Sequence, residues 1–224
     1  MKRLIVGMSG ASAAIYGIRL LEVLKETDNE SVETHLVITS AARKIILMET
    51  DFQVEEVEGM ADHVYDIDDI GAAIASGSFK TDGMVVIPCS IKSLSAIAHS
   101  YSANLLLRAA DVTLKERRRL VAVVRETPLH KGHLQLMLRL TDMGAIIFPP
   151  LPAFYHRPQT VEDIIDHTVG RVLDLFGIDH ALFERWSGST LRQACPERSR
   201  RAQDKPRPER SECVRDEEIS VKPG

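Results

Sequence analysis

Hydroxyl-bearing, glycine and cationic residues recur directly after short apolar runs of the sequence. The first group is Gly7-Met8-Ser9-Gly10-Ala11-Ser12, the second is Thr39-Ser40, and the third is Cys89-Ser90-Ile91-Lys92-Ser93. A fourth group carries Arg125 and Glu126. Small residues let a backbone approach an anion closely, and free amides at a helix start donate hydrogen bonds to phosphate oxygens. The repetition of this layout predicts one shared phosphate-binding site.

The first of these turns matches no common nucleotide-binding motif. It is not Gly-x-Gly-x-x-Gly, and it lacks the Gly-Lys-Ser/Thr of a P-loop. A plain strand-to-helix turn remains the alternative, and Thr39, Ser40, Ser90 and Ser93 are equally the residue types that cap helices. A nucleophile elbow at Ser12 is disfavoured because the final glycine of that motif is missing. A phosphate-binding turn is the favoured interpretation.

Other residues of chemical interest are more isolated. His130 and His133 are three apart, but no further ligand set accompanies them, so no metal site is predicted. Cys89 alone is typical of a small buried hydrophobe. The charge run Arg117–Arg119 is expected to face solvent. The proline-rich loop 149–158, which carries Tyr155, is stiff and can wall a pocket.

The elements that position these residues alternate between strand-like apolar runs and helical periodicity. This order predicts right-handed βαβ units and a parallel sheet, in a Rossmann-like (flavodoxin-like) three-layer α/β sandwich. In such sheets, ligands bind beyond the carboxyl ends of the strands. The predicted strands are Lys2–Met8, Glu33–Thr39, His63–Asp66, Gly83–Pro88, Leu120–Arg125 and Ala145–Phe148. The predicted helices are Ser12–Lys25, Ala41–Thr50, Leu94–His99, Asn104–Glu116, Leu134–Met143 and Thr160–Phe176.

The composition fits this architecture and excludes several classes of function. The chain has 224 residues, of which 44% are hydrophobic but only 5% aromatic, so the core is expected to be aliphatic, as in a buried parallel sheet. The formal net charge of −4 gives no reason to expect nucleic acid or a membrane surface as a partner. Three cysteines form no disulfide framework, which predicts a reduced, cytoplasmic protein.

The composition changes near residue 191. The segment 191–224 is rich in charge and proline, and it repeats Pro-Glu-Arg-Ser at 196–199 and 208–211. Such a segment buries too little apolar surface to offset the entropy lost on ordering. We therefore predict a folded domain over 1–190 and a disordered tail over 191–224.

Taken together, the motifs resemble those of the UbiX-like flavin prenyltransferases, in the wider family of homo-oligomeric flavin-containing Cys decarboxylase-like proteins. The resemblance runs from Leu4 to about Trp186. Two departures stand out, since Ala13 replaces a usual glycine and Ala103 replaces a frequent aspartate. Besides the turns above, the segments that carry the resemblance are Asn104–Val112, Leu114–Arg118, Arg125–Pro128, Phe154–Pro158, Val161–Asp163 and Gly170-Arg171.

The resemblance implies a reaction, its ligands and its site residues. Reduced FMN is alkylated at N5 by dimethylallyl phosphate and closed at C6, and the prenylated FMN serves a UbiD-like decarboxylase. A homo-oligomer, such as a dodecamer, and no metal are implied. The implied catalytic residues are Ser12, Glu49, Lys115 and Glu126. The implied FMN contacts are Gly10, Ala11, Ser12, Thr39, Ser90, Ile91, Lys92, Ser93 and Arg125, and the implied prenyl-phosphate contacts are Lys115, Arg125, Tyr155 and Arg171.

Three other functions fit the sequence less well. A flavin-dependent decarboxylase of a cysteine-containing substrate uses an early catalytic histidine and a Pro-x-Met-Asn clamp, and neither is evident here. A non-catalytic flavin carrier needs fewer cations than Lys115, Arg125 and Arg171 provide. A subunit of an aromatic-acid decarboxylase requires a second substrate site, for which the sequence gives no sign.

Removal of residues 191–224 is expected to change neither the melting temperature nor the turnover of the protein. The reason is that so polar a segment contributes little buried apolar surface. Thermal unfolding and product formation of the truncated and full-length chains check this. A large loss in either quantity would show that the segment belongs to the functional unit.

Overall fold

A six-stranded parallel sheet forms the centre of the protein. The computed structural model describes residues 1–26, 32–185 and 188. The strand order is β3-β2-β1-β4-β5-β6, so the direction of winding reverses between β1 and β4. This confirms the predicted Rossmann-like fold and makes the β1/β4 crevice the expected ligand site. The strands are β1 (Lys2–Met8), β2 (Val32–Ile38), β3 (His63–Tyr65), β4 (Gly83–Cys89), β5 (Arg119–Val124) and β6 (Ile146–Ile147).

Seven α-helices are described beside the sheet. The sequence predicted neither α3 nor the short 3₁₀ helix at Ala73–Ala75. Helix α1 begins at Ile15 rather than at the predicted Ser12, because residues 9–14 form a loop in which Ala13 has a φ of +77°. The helices are α1 (Ile15–Glu26), α2 (Ser40–Glu49), α3 (Val54–Glu58), α4 (Ile91–Ala98), α5 (Leu105–Lys115), α6 (Lys131–Asp142) and α7 (Val161–Phe176).

The sheet is buried on both faces, as its apolar strands predict. In β1, Leu4 and Val6 face a core shared with α1, α2 and α7, whereas Ile5 faces a second core shared with α4, α5 and α6. Successive side chains of a strand point to opposite faces, so a strand buried on both sides reads as a continuous aliphatic run. The core is almost entirely aliphatic.

Cationic side chains close the amino edge of the sheet. Lys2 Nζ donates to the carbonyl of Phe176 at 2.7 Å. The Arg118 guanidinium donates to the carbonyls of Gly77 and Phe79, each at 2.7 Å. The prediction that the Arg117–Arg119 run simply faces solvent is therefore wrong for Arg118, which ties helix α5 to the loop before β4.

Two further points concern the carboxyl-terminal segment and the membrane. The segment 191–224, predicted to be a disordered tail, lies outside the described residues. Among the helices that the structure describes, none combines the length and the apolar character needed to cross a membrane.

The Gly17→Ala substitution is expected to destabilise the protein. A Cβ at this buried position of α1 would lie 2.6 Å from the Ile87 carbonyl oxygen and 2.8 Å from Met8 Cε. Glycine to alanine in a helix interior normally stabilises by about 1 kcal/mol, but overpacking costs about 1–3 kcal/mol and should reverse the sign. Urea unfolding measures the difference.

The matched control is Gly71→Ala. A Cβ there meets only the Asp69 carboxylate, at 3.4 Å, which is ordinary contact. If Gly17→Ala is as stable as Gly71→Ala, the close approach of α1 to β4 is not a constraint on this fold.

Candidate active site

The hydroxyl of Ser9 joins the loops that follow β1 and β4. Ser9 N and Ser9 Oγ both donate to the Pro88 carbonyl, at 3.2 and 3.0 Å. The Ser9 oxygen in turn accepts from Ser90 N at 2.8 Å. Ser9 is only 1% exposed. Its predicted role as a hydroxyl donor to a ligand is therefore wrong, because its hydrogen is already committed to the crevice wall.

Three helices begin beside this crevice, each with a side-chain cap. Thr39 Oγ1 accepts from Ala42 N at 3.1 Å at the start of α2, and Ser90 Oγ accepts from Ser93 N at 3.2 Å at the start of α4. Asn104 Oδ1 accepts from a main-chain amide at 3.0 Å at the start of α5. A helix amino end carries a partial positive charge and attracts anions. Three such ends directed to one place favour a phosphorylated ligand.

The three caps line a single cavity of about 610 Å³. This volume lies within the range of roughly 300–1,000 Å³ that is usual for small-molecule sites. Predicted site residues supply part of the lining, and apolar residues from α4, α5 and the loop after β3 supply much of the rest. The lining residues are Gly10, Thr39, Ser40, Ala41, Ile67, Asp68, Ser90, Lys92, Ser93, Ser95, Ala96, His99, Tyr101, Ala103, Asn104 and Leu107.

Ser93 and Lys92 give the cavity its clearest donors. Ser93 is 8% exposed, and its oxygen accepts from Ser90 Oγ at 3.2 Å. Among the contacts of the described residues, none takes up the Ser93 hydroxyl hydrogen, so it is available to a ligand in the cavity. Lys92 adds a cation to the same helix start. Hydrogen bonds between charged groups and phosphate are among the stronger ones in proteins.

Gly10 permits the first loop to lie directly on helix α2. A Cβ at Gly10 would overlap the Cβ of Ala41, and both residues line the cavity. The glycine was predicted from its place in the motif, and the structure gives the physical reason for it. Ala11 and Ser12 follow it in the loop but do not line the cavity, and Ile91 does not either.

Glu49 lies at the opposite side of this loop. Its carboxylate accepts from Ala13 N at 2.7 Å, near the end of α2. The sequence predicts that main-chain amides of this turn bind a phosphate, but the Ala13 amide is already paired with a protein carboxylate. The Glu49 carboxylate therefore lies against the loop that carries Ser12. The catalytic roles of Glu49 and Ser12 stay predictions.

The thiol of Cys89 is not a nucleophile here. Cys89 is fully buried, and burial raises its pKa to about 12. A thiol needs its thiolate form to attack or to bind a metal. The prediction that Cys89 is a small buried hydrophobe is confirmed.

Arg125 and Glu126 extend from the carboxyl end of β5. Arg125 N donates to the Cys89 carbonyl at 3.2 Å, which holds this segment against the end of β4. Both side chains are exposed, and Glu126 accepts from Thr127 N at 3.0 Å. They share the carboxyl edge with the cavity but do not line it.

Tyr155 and Arg171 meet around His167 of helix α7. The Tyr155 hydroxyl lies 2.9 Å from His167 Nε2. Burial, helped by the charges of His156 and Arg171, lowers the pKa of His167. Arg171 Nε also lies 3.7 Å from an Asp174 carboxylate oxygen. The structure thus brings these two predicted prenyl-phosphate residues together, although neither lines the cavity.

Lys115 lies at the other end of the molecule. It ends α5, pairs with Glu116, and is close to Gly77 in the loop that precedes β4. Arg125 follows the carboxyl end of β5, and the six residues of that strand span roughly 20 Å. Within a single chain, Lys115 and Arg125 therefore lie beyond opposite ends of β5, and their shared role toward a prenyl phosphate stays a prediction.

Several residues that line the cavity were not predicted from the sequence. Asn104 is the most informative, because it caps α5 and lines the cavity. An asparagine directly before a leucine-rich helical run is a recognisable start signal, so this residue was available to prediction. His99 and Tyr101 give no such signal, since they reach the cavity only through the turn after α4.

The fold and the cavity define a Rossmann-like α/β protein with a cavity of ligand size at its switch point. The model of the family described as Flavoprotein matches residues 1–173. The flavin prenyltransferase UbiX of Salmonella typhimurium is 60% identical over 191 residues, which cover 84% of this chain and all of that protein. The chain belongs to the Flavoprotein family, and within it to the UbiX-type flavin prenyltransferases.

Two solved structures are similar in fold over most of the chain. A crystal structure of AnUbiX (PadA1) in complex with FMN and dimethylallyl pyrophosphate is 50% identical, with a TM-score of 0.81 over 84% of this chain and 99% of that one. A dodecameric FMN-dependent UbiX-like decarboxylase from Escherichia coli O157:H7 is also 50% identical. Its TM-score is 0.80 over 83% of this chain and 100% of that one.

The Gly10→Ala substitution is expected to weaken FMN binding by about tenfold or more. The added methyl group forces the first loop away from α2, and overpacking of this kind costs about 1–3 kcal/mol, where 1.4 kcal/mol is tenfold in affinity. Flavin titration followed by fluorescence measures the dissociation constant.

The double variant Gly10→Ala/Ala41→Gly should recover much of the lost affinity. Without the Ala41 Cβ, the nearest atoms to the new methyl group are backbone atoms at 3.4 and 3.5 Å. Ala41→Gly alone serves as the control for a glycine in the first turn of α2. Equal flavin affinity in wild type and Gly10→Ala would show that the loop does not need this contact.

Proposed function

We propose that the protein transfers the dimethylallyl group of dimethylallyl phosphate to reduced FMN and releases prenylated FMN. The observation that carries the proposal is the cavity at the switch point, where the capped starts of α2, α4 and α5 converge. Membership of the UbiX-type flavin prenyltransferases supports this choice of reaction. A relative has also been solved with FMN and dimethylallyl pyrophosphate.

The residues of the cavity fit FMN. The Ser93 hydroxyl, Lys92 and the free amides at the helix starts suit its phosphate, whereas Ala96 and Leu107 offer apolar contact. In this proposal Gly10, Ala11, Ser12, Thr39, Ile91 and Arg125 complete the flavin site. Bound reduced FMN supplies the nitrogen and carbon atoms that accept the prenyl group.

The remaining predicted residues suit the departure of phosphate from an allylic carbon. As the carbon–oxygen bond breaks, negative charge builds up on the phosphate, and cations fixed beside it lower the barrier. We assign this role to Arg125, Arg171 and Lys115, with a hydrogen bond from Tyr155. Closure of the new ring removes a proton from the flavin, and Glu49, Glu126 or the released phosphate can accept it.

The separation of these residues within one chain implies a site shared between chains. Arg171 lies on α7 and Tyr155 in the loop before it, Arg125 lies at the carboxyl edge, and Lys115 lies at the amino edge. We propose that packing of subunits brings the three groups together in a homo-oligomer, as a dodecamer would allow. A similar protein from E. coli O157:H7 is dodecameric.

The product also defines the proposed partner. Prenylated FMN is released as a product and has no further role in this reaction. We therefore expect another enzyme to use it as a cofactor. We propose a UbiD-like decarboxylase as that recipient.

Incubation of the protein with reduced FMN and dimethylallyl phosphate is expected to yield prenylated FMN, measured by mass spectrometry under anaerobic conditions. The variants Tyr155→Phe and Arg171→Ala should keep FMN and form little product. Loss of a charge-assisted contact at Arg171 costs about 1.5–3 kcal/mol in prenyl-phosphate binding. Flavin content and product are measured on the same preparations.

Arg139→Ala, which removes an exposed arginine of α6 outside the proposed site, is the matched control and should match wild type. Loss of FMN from Arg171→Ala would assign that residue to the flavin. Normal product formation in both site variants would show that neither Tyr155 nor Arg171 holds the prenyl phosphate. A wild-type protein that binds FMN but transfers no prenyl group would overturn the proposed function.

A further inference from the structure

Three metal-ligating side chains lie together on strands β2 and β3, away from the candidate active site. The atoms are one carboxylate oxygen of Glu33 and ring nitrogens of His35 and His63, and all lie within 4.8 Å of one another. Within the described residues, this is the one group of three or more such donors. It lies along strands whose carboxyl ends lead to the cavity, and none of its members lines that cavity.

The strand register explains why the three side chains converge. Residues 33 and 35 point to the same face of β2, since side chains alternate along a strand. His35 is paired with His63 in the adjacent parallel strand β3. Their rings stack with centroids 4.8 Å apart and an interplanar angle of 12°. His63 Nε2 lies 2.9 Å from Glu33 Oε1.

His35 gives the independent sign of a ligand. The residue is 1% exposed, and its Nε2 atom is buried without a hydrogen-bond partner. That atom lies 3.7 Å from Glu33 Oε1, which is too long for a hydrogen bond. A buried ring nitrogen without a partner costs free energy, and a cation between it and the Glu33 carboxylate would supply that partner.

Neighbouring side chains hold the three residues in place. The other His35 nitrogen, Nδ1, is 3.0 Å from the Tyr65 hydroxyl, an outer contact of the kind that fixes the tautomer of metal-binding histidines. Arg3 Nε donates to Glu33 Oε2 at 2.7 Å, which leaves Oε1 directed to the histidines. Asp62 lies close enough to act electrostatically on both rings. The carboxylates of Glu33 and Asp62 outnumber the guanidinium of Arg3, so the net charge of these three groups is negative.

We infer that Glu33, His35 and His63 form a binding site for a divalent transition metal of the zinc class, which links β2 to the short edge strand β3. Two imidazoles and a carboxylate are ligands that Zn²⁺ accepts, at about 2.0–2.2 Å. In a tetrahedral site with such bonds, neighbouring ligand atoms are about 3.4 Å apart. The Glu33–His63 and Glu33–His35 distances of 2.9 and 3.7 Å lie on either side of that spacing. Half-exposed His63 gives the ion its route from solvent.

The test is titration of chelator-treated, full-length protein with Co²⁺ and then with Zn²⁺. Wild type is expected to bind about one equivalent of Co²⁺ with the visible absorption of a tetrahedral site, and Zn²⁺ should displace it. His63→Gln and Glu33→Gln should each weaken binding by at least about tenfold, the lower bound for loss of even an outer contact. All proteins carry Cys195→Ser and Cys213→Ser, so that no thiolate from those positions contributes.

The matched control is His133→Gln in α6, which breaks the His130–His133 pair, whose ring centroids are 3.6 Å apart. This variant should bind Co²⁺ as wild type does. Zn²⁺ should raise the melting temperature of wild type and of His133→Gln but not that of His63→Gln. Unchanged FMN binding by His63→Gln shows that the fold is intact and keeps this test separate from the proposed enzymatic function.

Three results would overturn the inference. The first is the absence of tetrahedral Co²⁺ absorption in wild type, and the second is equal affinity in wild type, His63→Gln and Glu33→Gln. The third is loss of binding in His133→Gln alone, which would assign the metal to the histidine pair of α6.

Discussion

The site depends on one buried hydroxyl at the point where the winding of the sheet reverses. Ser9 donates to the Pro88 carbonyl and accepts from Ser90 N, so the loops after β1 and β4 are fixed to each other. Main-chain pairing adds one bond between the same segments, from Ser9 N to the Pro88 carbonyl near the end of β4. The start of α4 is positioned by the contact between Ser9 and Ser90, since Ser90 is its cap. Replacement of this hydroxyl would leave buried polar groups without partners, which is costly.

The sequence was sufficient for the fold because the strands and helices differ strongly in pattern. Strand β4 is a continuous apolar run, whereas the helices carry their apolar residues at helical spacing. Short elements were harder to predict. Helix α3 has five residues and depends on a capping arrangement at Gln53 rather than on periodicity, so it was missed. Helix α1 starts late because Ala13 adopts a left-handed conformation that no local pattern reveals.

The candidate site was only partly predictable, for a different reason. Residues that follow a strand directly, such as Thr39, Ser90 and Ser93, were found because the carboxyl edge of a parallel sheet is set by topology. His99 and Tyr101 reach the cavity through the turn after α4, and their positions depend on tertiary packing. Lys115 was assigned to the site from the family resemblance, which carries no information on which end of strand β5 the residue occupies or on which chain supplies it.

The placement of Lys115 and Arg125 at opposite ends of β5 has a genetic consequence under the proposed shared site. A site completed by two chains can be broken in either chain. Two inactive alleles, one altered at each position, would then form mixed assemblies in which some sites draw both residues from intact copies. Co-expression of such alleles would restore part of the activity, whereas alleles altered at the same position would not complement each other.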